Sequence, residues 1–186
     1  MQINYQLLHD SYLFYQEKGY QRIELPWTVT GAVDDITRPI DKIPFVLKHN
    51  NKHLVASGEQ SFLYQYLKGY LPKGMFQGIT PCFRNEDYDF LHTKNFMKNE
   101  LIKTDSTTSD DLNKMVETAL RFFSKYFKKQ DLNIVQTNDG FDIEIYGNEL
   151  GSYGIRETTF LKWIYGTGLA EPRTSSLINL HGISQN

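Results

Sequence analysis

Apolar residues recur at helical spacing near the start of the chain. Tyr5, Leu8, Tyr12 and Tyr15 share one face of residues 4–18, and Gly19 supplies a stop. The pattern then changes period. Ile23, Leu25 and Trp27 alternate through residues 19–29 as in a strand, with Pro26 marking an edge or an end. Glycine, prolines and charges make 30–53 a loop, with a short strand near 45–47, and residues 54–57 read as another short strand. Phe62, Leu63, Tyr66 and Leu67 predict a helix over 59–70. Residues 75–84 and 95–104 predict two strands around a polar loop. Leu112, Met115, Val116, Ala119, Leu120, Phe123 and Phe127 form the clearest helical stripe, starting at Ser109, with Asp110 and Asp111 suiting the positive N-terminal end. Residues 132–137 and 141–147, joined by Asn138-Asp139-Gly140, read as a hairpin. Strands outnumber helices and connect as hairpins. The expected class is α+β, with a mainly antiparallel sheet flanked by helices.

The chain of 186 residues fits one domain, 1–186, large enough to bury a core without a disulfide or metal staple. The formal net charge is −2, which gives little support to bulk RNA binding through charge alone. The single cysteine, Cys82, excludes an internal disulfide and a two-cysteine zinc site, and suits a reducing interior. No signal-peptide pattern opens the chain and no apolar run approaches the roughly 18 residues of a membrane span. These features lead us to expect a cytoplasmic protein without a membrane partner.

The chemistry concentrates between residues 81 and 101. Arg84 and Glu86 sit two apart at a strand end, and Phe96 and Glu100 lie four apart on the next strand, each pair on one face. If those strands pair, an arginine, two carboxylates and an aromatic ring converge. Arginine grips phosphate oxygens, an aromatic stacks on a base, and carboxylates accept hydrogen bonds from amino groups. The set suits a nucleotide beside an amine-bearing substrate. The alternative is a solvated charged strand pair with one half-buried phenylalanine.

Arg84-Asn85-Glu86, a loop, then Phe96 and Glu100 resemble motif 2 of the class II aminoacyl-tRNA synthetases. Residues 19–29 resemble motif 1, with Pro26 in place of its proline. Ser57-Gly58-Glu59 resembles the Thr-x-Glu loop, 141–152 the acidic stretch before motif 3, and 166–176 motif 3 itself, with Arg173 as its arginine. The Gly-Thr-Gly-Leu-Ala run and the Glu149/Ser152 pair look most like the seryl branch. The resemblance implies ATP as substrate and Mg²⁺ as cofactor. It implies that Arg84 contacts the α-phosphate, that Glu86 places adenine and Phe96 stacks on it, and that Arg173 covers its other face and reaches the γ-phosphate. Glu149 and Ser152 would hold Mg²⁺. Ser57, Glu59 and Glu100 would form the amino acid site, with the two glutamates receiving the ammonium group. Arg84 and Arg173 would be catalytic, and a homodimer would form through motif 1.

The resemblance lacks the family's tRNA-recognition domain and the seryl branch's helical arm. Three readings follow. One is an enzyme that activates an amino acid and passes it to an acceptor other than intact tRNA, such as a carrier protein or a small molecule. The second is a synthetase core whose RNA binding comes from a partner. The third is a catalytically silent paralogue that binds a ligand or regulates a partner. Smaller expectations complete the reading. Gly166 and Gly168 allow a turn, tight packing or close approach to a ligand. Pro172 sets Arg173 near a helix N-terminus. Asp142 and Glu144 share a strand face as structural or supporting carboxylates. His92 lies in the motif 2 loop. His49 and His53 make no metal pair, Cys82 is a buried small residue, and 122–130 is a solvated basic helix end.

Overall fold

The computed structural model describes residues 2–85, 91 and 93–183. Helix α1 (Tyr5–Glu17) leads to β1 (Gln21–Arg22), β2 (Thr28–Val29), the short α2 (Gly31–Asp34), β3 (His53–Leu54) and α3 (Gly58–Leu67). A long hairpin follows, β4 (Met75–Phe83) and β5 (Asn95–Lys103), then α4 (Ser109–Phe123). Strands β6 (Leu132–Gln136), β7 (Gly140–Ile145), β8 (Asn148–Glu157) and β9 (Lys162–Glu171) precede α5 (Arg173–His181).

Seven strands form one sheet in the order β1-β4-β5-β9-β8-β7-β6. Every pairing in it is antiparallel except β1 with β4. The expected α+β architecture is therefore present, and among the described residues no helix is long and apolar enough to cross a membrane. Strand β9, last in the chain, inserts beside β5 at the centre of the sheet.

The strand expected within 19–29, with Pro26 at an edge or end, forms as two short pieces. Only Gln21–Arg22 joins the main sheet, and Thr28–Val29 pairs with His53–Leu54 in a separate two-stranded sheet. Pro26 offers no N–H between them, so the ladder has to break there. Leu25 is buried while Trp27 is 61 % exposed. The expected strand near 45–47 reduces to a single bridge, Val46 to His53.

Alternation along the strands divides the core. On one face α1 and α4 press Phe14, Tyr15, Met115 and Phe122 against Leu101, Tyr153 and Ile164. On the other, Phe62 and Leu63 of α3 pack with Leu25 and Val55 on Phe76, Ile102 and Trp163. Helix α4 starts at a capping box, in which Thr108 accepts from the Asp111 amide and Asp111 accepts back from the Thr108 amide. Gly166 and Gly168 pack tightly: a Cβ on Gly166 would lie 2.5 Å from the Tyr153 ring, and one on Gly168 3.0 Å from Tyr15. Of the roles open to these glycines, the fold realises packing under α1 and α4. The second face carries a cleft beyond the end of α3.

Candidate active site

The cleft has a volume of ≈ 320 Å³ and opens over β4, β5, β9 and β8. Strand β5 supplies its centre. Phe96, Lys98 and Glu100 are two apart in sequence, so alternation points all three the same way, and all three line the cleft. Arg84 stands just past the end of β4, where its amide bonds to the Lys94 carbonyl at 2.8 Å. Its Nε donates to the Ala56 carbonyl at 3.1 Å, and its guanidinium lies over the Phe96 ring, 5.0 Å from the centroid. Glu86 and His92 lie outside the described residues.

Two β-bulges set the rest. Asn99 faces Leu169 but Glu100 faces Thr167, so Gly168 is the extra residue on β9. Ile143 faces Gly151 but Glu144 faces Glu149, so Leu150 is the extra residue on β8. A bulge shifts the alternation by one. Glu149 and Ser152, three apart, thereby both line the cleft, and Asp142 of β7 lies opposite Ser152. Arg173, first residue of α5, donates from Nη2 to Glu149 Oε1 at 2.8 Å. Burial raises the Glu149 carboxyl, but Arg173, with Lys98 and Arg84, outweighs it and holds the group below its ordinary value. Asp142 goes the other way. Burial, with Glu149 and Glu144 adding repulsion, raises it despite a bond from Ser152. Its Oδ1 is buried with no hydrogen-bond partner, as is Arg173 Nε.

The end of the cleft at α3 is already knit together by protein groups. Ser57 caps α3 by accepting from the Glu59 amide at 3.3 Å, and the same hydroxyl donates to Glu100 Oε2 at 2.6 Å. Lys98 Nζ holds Glu100 Oε1 at 3.0 Å. Glu59 accepts from Trp163 Nε1 at 2.6 Å and pairs through its other oxygen with Arg156 Nη1. Burial raises the Glu59 carboxyl, and Arg156 only partly offsets it. Behind this end, Asp34 is buried and takes Gln60 Nε2 at 2.6 Å, Arg38 Nε at 2.7 Å and His53 Nδ1 at 2.9 Å. Gln60 in turn accepts from the Ala56 amide at 2.7 Å, so the Asp34 network fixes the segment whose carbonyl holds Arg84.

The cleft thus gathers Arg84, Phe96, Glu149, Ser152, Arg173, Ser57, Glu59 and Glu100 in one place. Sequence reasoning missed Lys98 and Arg156. Lys98 was legible, because it sits between Phe96 and Glu100 on the alternating face. Arg156 had no local signal, since its partner Glu59 is 97 residues away. Cys82 is buried beneath, and burial pushes its thiol up to about 12, which leaves it a small inert side chain.

No protein-family model and no curated relative matches the sequence. The fold has clear counterparts among solved structures. It is similar to pyrrolysyl-tRNA synthetase from Desulfitobacterium hafniense, with TM-score 0.74 and 15% identity over 95% of this chain and 69% of that one. It is also similar to seryl-tRNA synthetase from Pyrococcus horikoshii complexed with ATP, with TM-score 0.70 and 15% identity over 92% of this chain. A third is the cytoplasmic serine-tRNA ligase from Naegleria fowleri in complex with AMP, with TM-score 0.67 and 17% identity over 91% of this chain. The chain spans 48% and 52% of the length of those two seryl enzymes. Its fold is that of a class II synthetase catalytic core.

Proposed function

We propose that this chain activates an amino acid with ATP, forming an aminoacyl-adenylate and releasing pyrophosphate. The observation that carries the reading is the convergence of Arg84, Phe96, Arg173 and the Glu149/Ser152 pair in one cleft of this fold. Two of the similar structures hold ATP or AMP, which supports a nucleotide as ligand.

Attack by a carboxylate oxygen on the α-phosphorus brings two anions together. Cations must offset that repulsion and the charge that develops at phosphorus. Arg84 would contact the α-phosphate with its two amino groups, which bond to no other described residue. Phe96 would then exchange the guanidinium now over its ring for adenine. Arg173 would cover adenine and reach the outer phosphate from the first turn of α5. Ser57 and Glu100 would orient the substrate's ammonium group, with Lys98 beside them. No side chain need form a covalent bond; positioning and electrostatics carry the step.

The donor set fits Mg²⁺. Glu149, Ser152 and the unpartnered Asp142 Oδ1 offer oxygen donors on adjacent strands and would hold the ion, since Mg²⁺ takes one or two carboxylates plus phosphates. When bound, it would neutralise phosphate charge. The proposal includes a homodimer, supported by the exposed Trp27 on the segment that resembles motif 1. The acceptor would be tRNA, a carrier protein or a small molecule.

The test is amino-acid-dependent ATP–pyrophosphate exchange with Mg²⁺ across the standard amino acids. Exchange with one of them is expected. ATP binding without exchange would replace the proposal with a ligand-binding, non-catalytic role. That reading has its own support: the protein's own donors already occupy both oxygens of Glu59 and of Glu100.

A further inference from the structure

Strand β8 carries a cation, Arg156, into the cleft beyond the Glu149/Ser152 pair. Arg156 lies four residues past Ser152, about 13 Å along the strand at roughly 3.3 Å per residue. At that distance one phosphate cannot bridge both positions. The guanidinium is fixed on two sides. Its carbon lies 4.3 Å from the centroid of the Tyr165 ring, and Nη1 pairs with Glu59 Oε2. Glu59 is itself buried and pinned by Trp163. The other guanidinium donors bond to no other described residue, and the side chain is 32% exposed where it lines the cleft.

A guanidinium held this way presents its remaining N–H groups as a fork of fixed direction. That geometry matches a carboxylate, which accepts two parallel hydrogen bonds. A neutral amide offers one acceptor oxygen and an NH₂ that would meet the donors of Arg156 head on. An ammonium side chain would meet the cation. Asp139 also lines the cleft but is exposed, so its charge is screened, and Glu100, which repels Glu59, is held by Ser57 and Lys98. Between Ser152 and Arg156 stands Gly154, where a Cβ would lie 2.6 Å from the Tyr165 hydroxyl. The glycine leaves room for the Asp139 carbonyl and for the Tyr165 ring that lies against Arg156.

The geometry points to Arg156 as a specificity-determining residue that receives a side-chain carboxylate, making the substrate class an acidic amino acid, aspartate or glutamate. This rests on the amino acid activation proposed above, and binding separates the two. Calorimetry on the full chain with ATP and Mg²⁺ should show aspartate or glutamate binding at least about tenfold tighter than asparagine or glutamine, since a site built to hydrogen-bond one group leaves its donors unpaired against the analogue. Arg156→Gln alone strands a buried Glu59 charge and risks the fold. The informative variant is therefore Glu59→Gln/Arg156→Gln, which removes both charges at similar volume, and it should abolish the preference. Arg156→Lys keeps the charge without the fork and should weaken acid binding while circular dichroism stays unchanged. Equal or tighter binding of a neutral amino acid by the wild type, or an acid preference that survives in the double variant, overturns the inference. Exchange with a neutral amino acid alone would also overturn it, while leaving activation standing. Acid binding without exchange would uphold Arg156 and overturn activation. Neither binding nor exchange would overturn both.

Discussion

Glu149 and Ser152 stand three residues apart on β8 and yet both line the same cleft. Regular alternation would put them on opposite faces of the sheet. The extra residue at Leu150 shifts the phase, buries Leu150 under α1 and α4 and brings both oxygen donors to the cleft side.

That pair predicts a metal dependence. Glu149→Gln should raise the Mg²⁺ concentration for half-maximal exchange by about tenfold, on the order of 1.4 kcal/mol. A Mg²⁺ titration checks it, and an unchanged midpoint would take Glu149 out of the metal site.

Arg84→Ala and Arg173→Ala should each weaken ATP binding by about 1.5–3 kcal/mol, the range of a lost charge-assisted hydrogen bond. Both side chains line the open cleft rather than either apolar core, so the fold should survive. Calorimetry with ATP, beside circular dichroism, decides; wild-type affinity in either variant would remove that arginine from the phosphate site.

Glu100→Gln should weaken amino acid binding more than ATP binding. Glu100 sits between Ser57 and Lys98, away from the stacked Arg84 and Phe96. The two affinities measured on one preparation test this, and the reverse order would reassign Glu100 to the nucleotide.

Acid should loosen the start of α4. Bonds from Ser106 and Thr108 lower Asp111 from 3.8 to about 2. A carboxylate with a lowered folded pKa contributes stability that is present above its unfolded value and lost as pH falls. The contribution is therefore whole above about pH 4 and gone near pH 2. Thr108→Ala should cost about 1 kcal/mol at neutral pH. Between pH 6 and pH 2.5 the melting temperature should fall less in Asp111→Asn than in the wild type.

Gly166→Ala should destabilise the core by about 1–3 kcal/mol, the usual cost of overpacking. The new methyl would lie 2.5 Å from the Tyr153 ring and 2.6 Å from Met115 Sδ. Urea unfolding measures it.

Much of this molecule was written in local periodicity. The α4 stripe, the β4–β5 hairpin and the hairpin around Asn138-Asp139-Gly140 follow from side-chain direction at neighbouring positions. So does the shared face of Phe96 and Glu100. Helix α1 was legible but its face was not: Leu7, Leu8, Ser11, Phe14 and Tyr15 are buried, while Tyr5 of the expected stripe is exposed. Strand β9 offered no such signal, because Trp163 to Glu171 are buried on both faces and a central strand has no polar side to alternate with. The bulges at Leu150 and Gly168 and the Arg156–Glu59 pair were decided by tertiary structure alone. Each depends on which strand lies alongside, and strand neighbours far apart in sequence leave no mark on the spacing of residues along one of them.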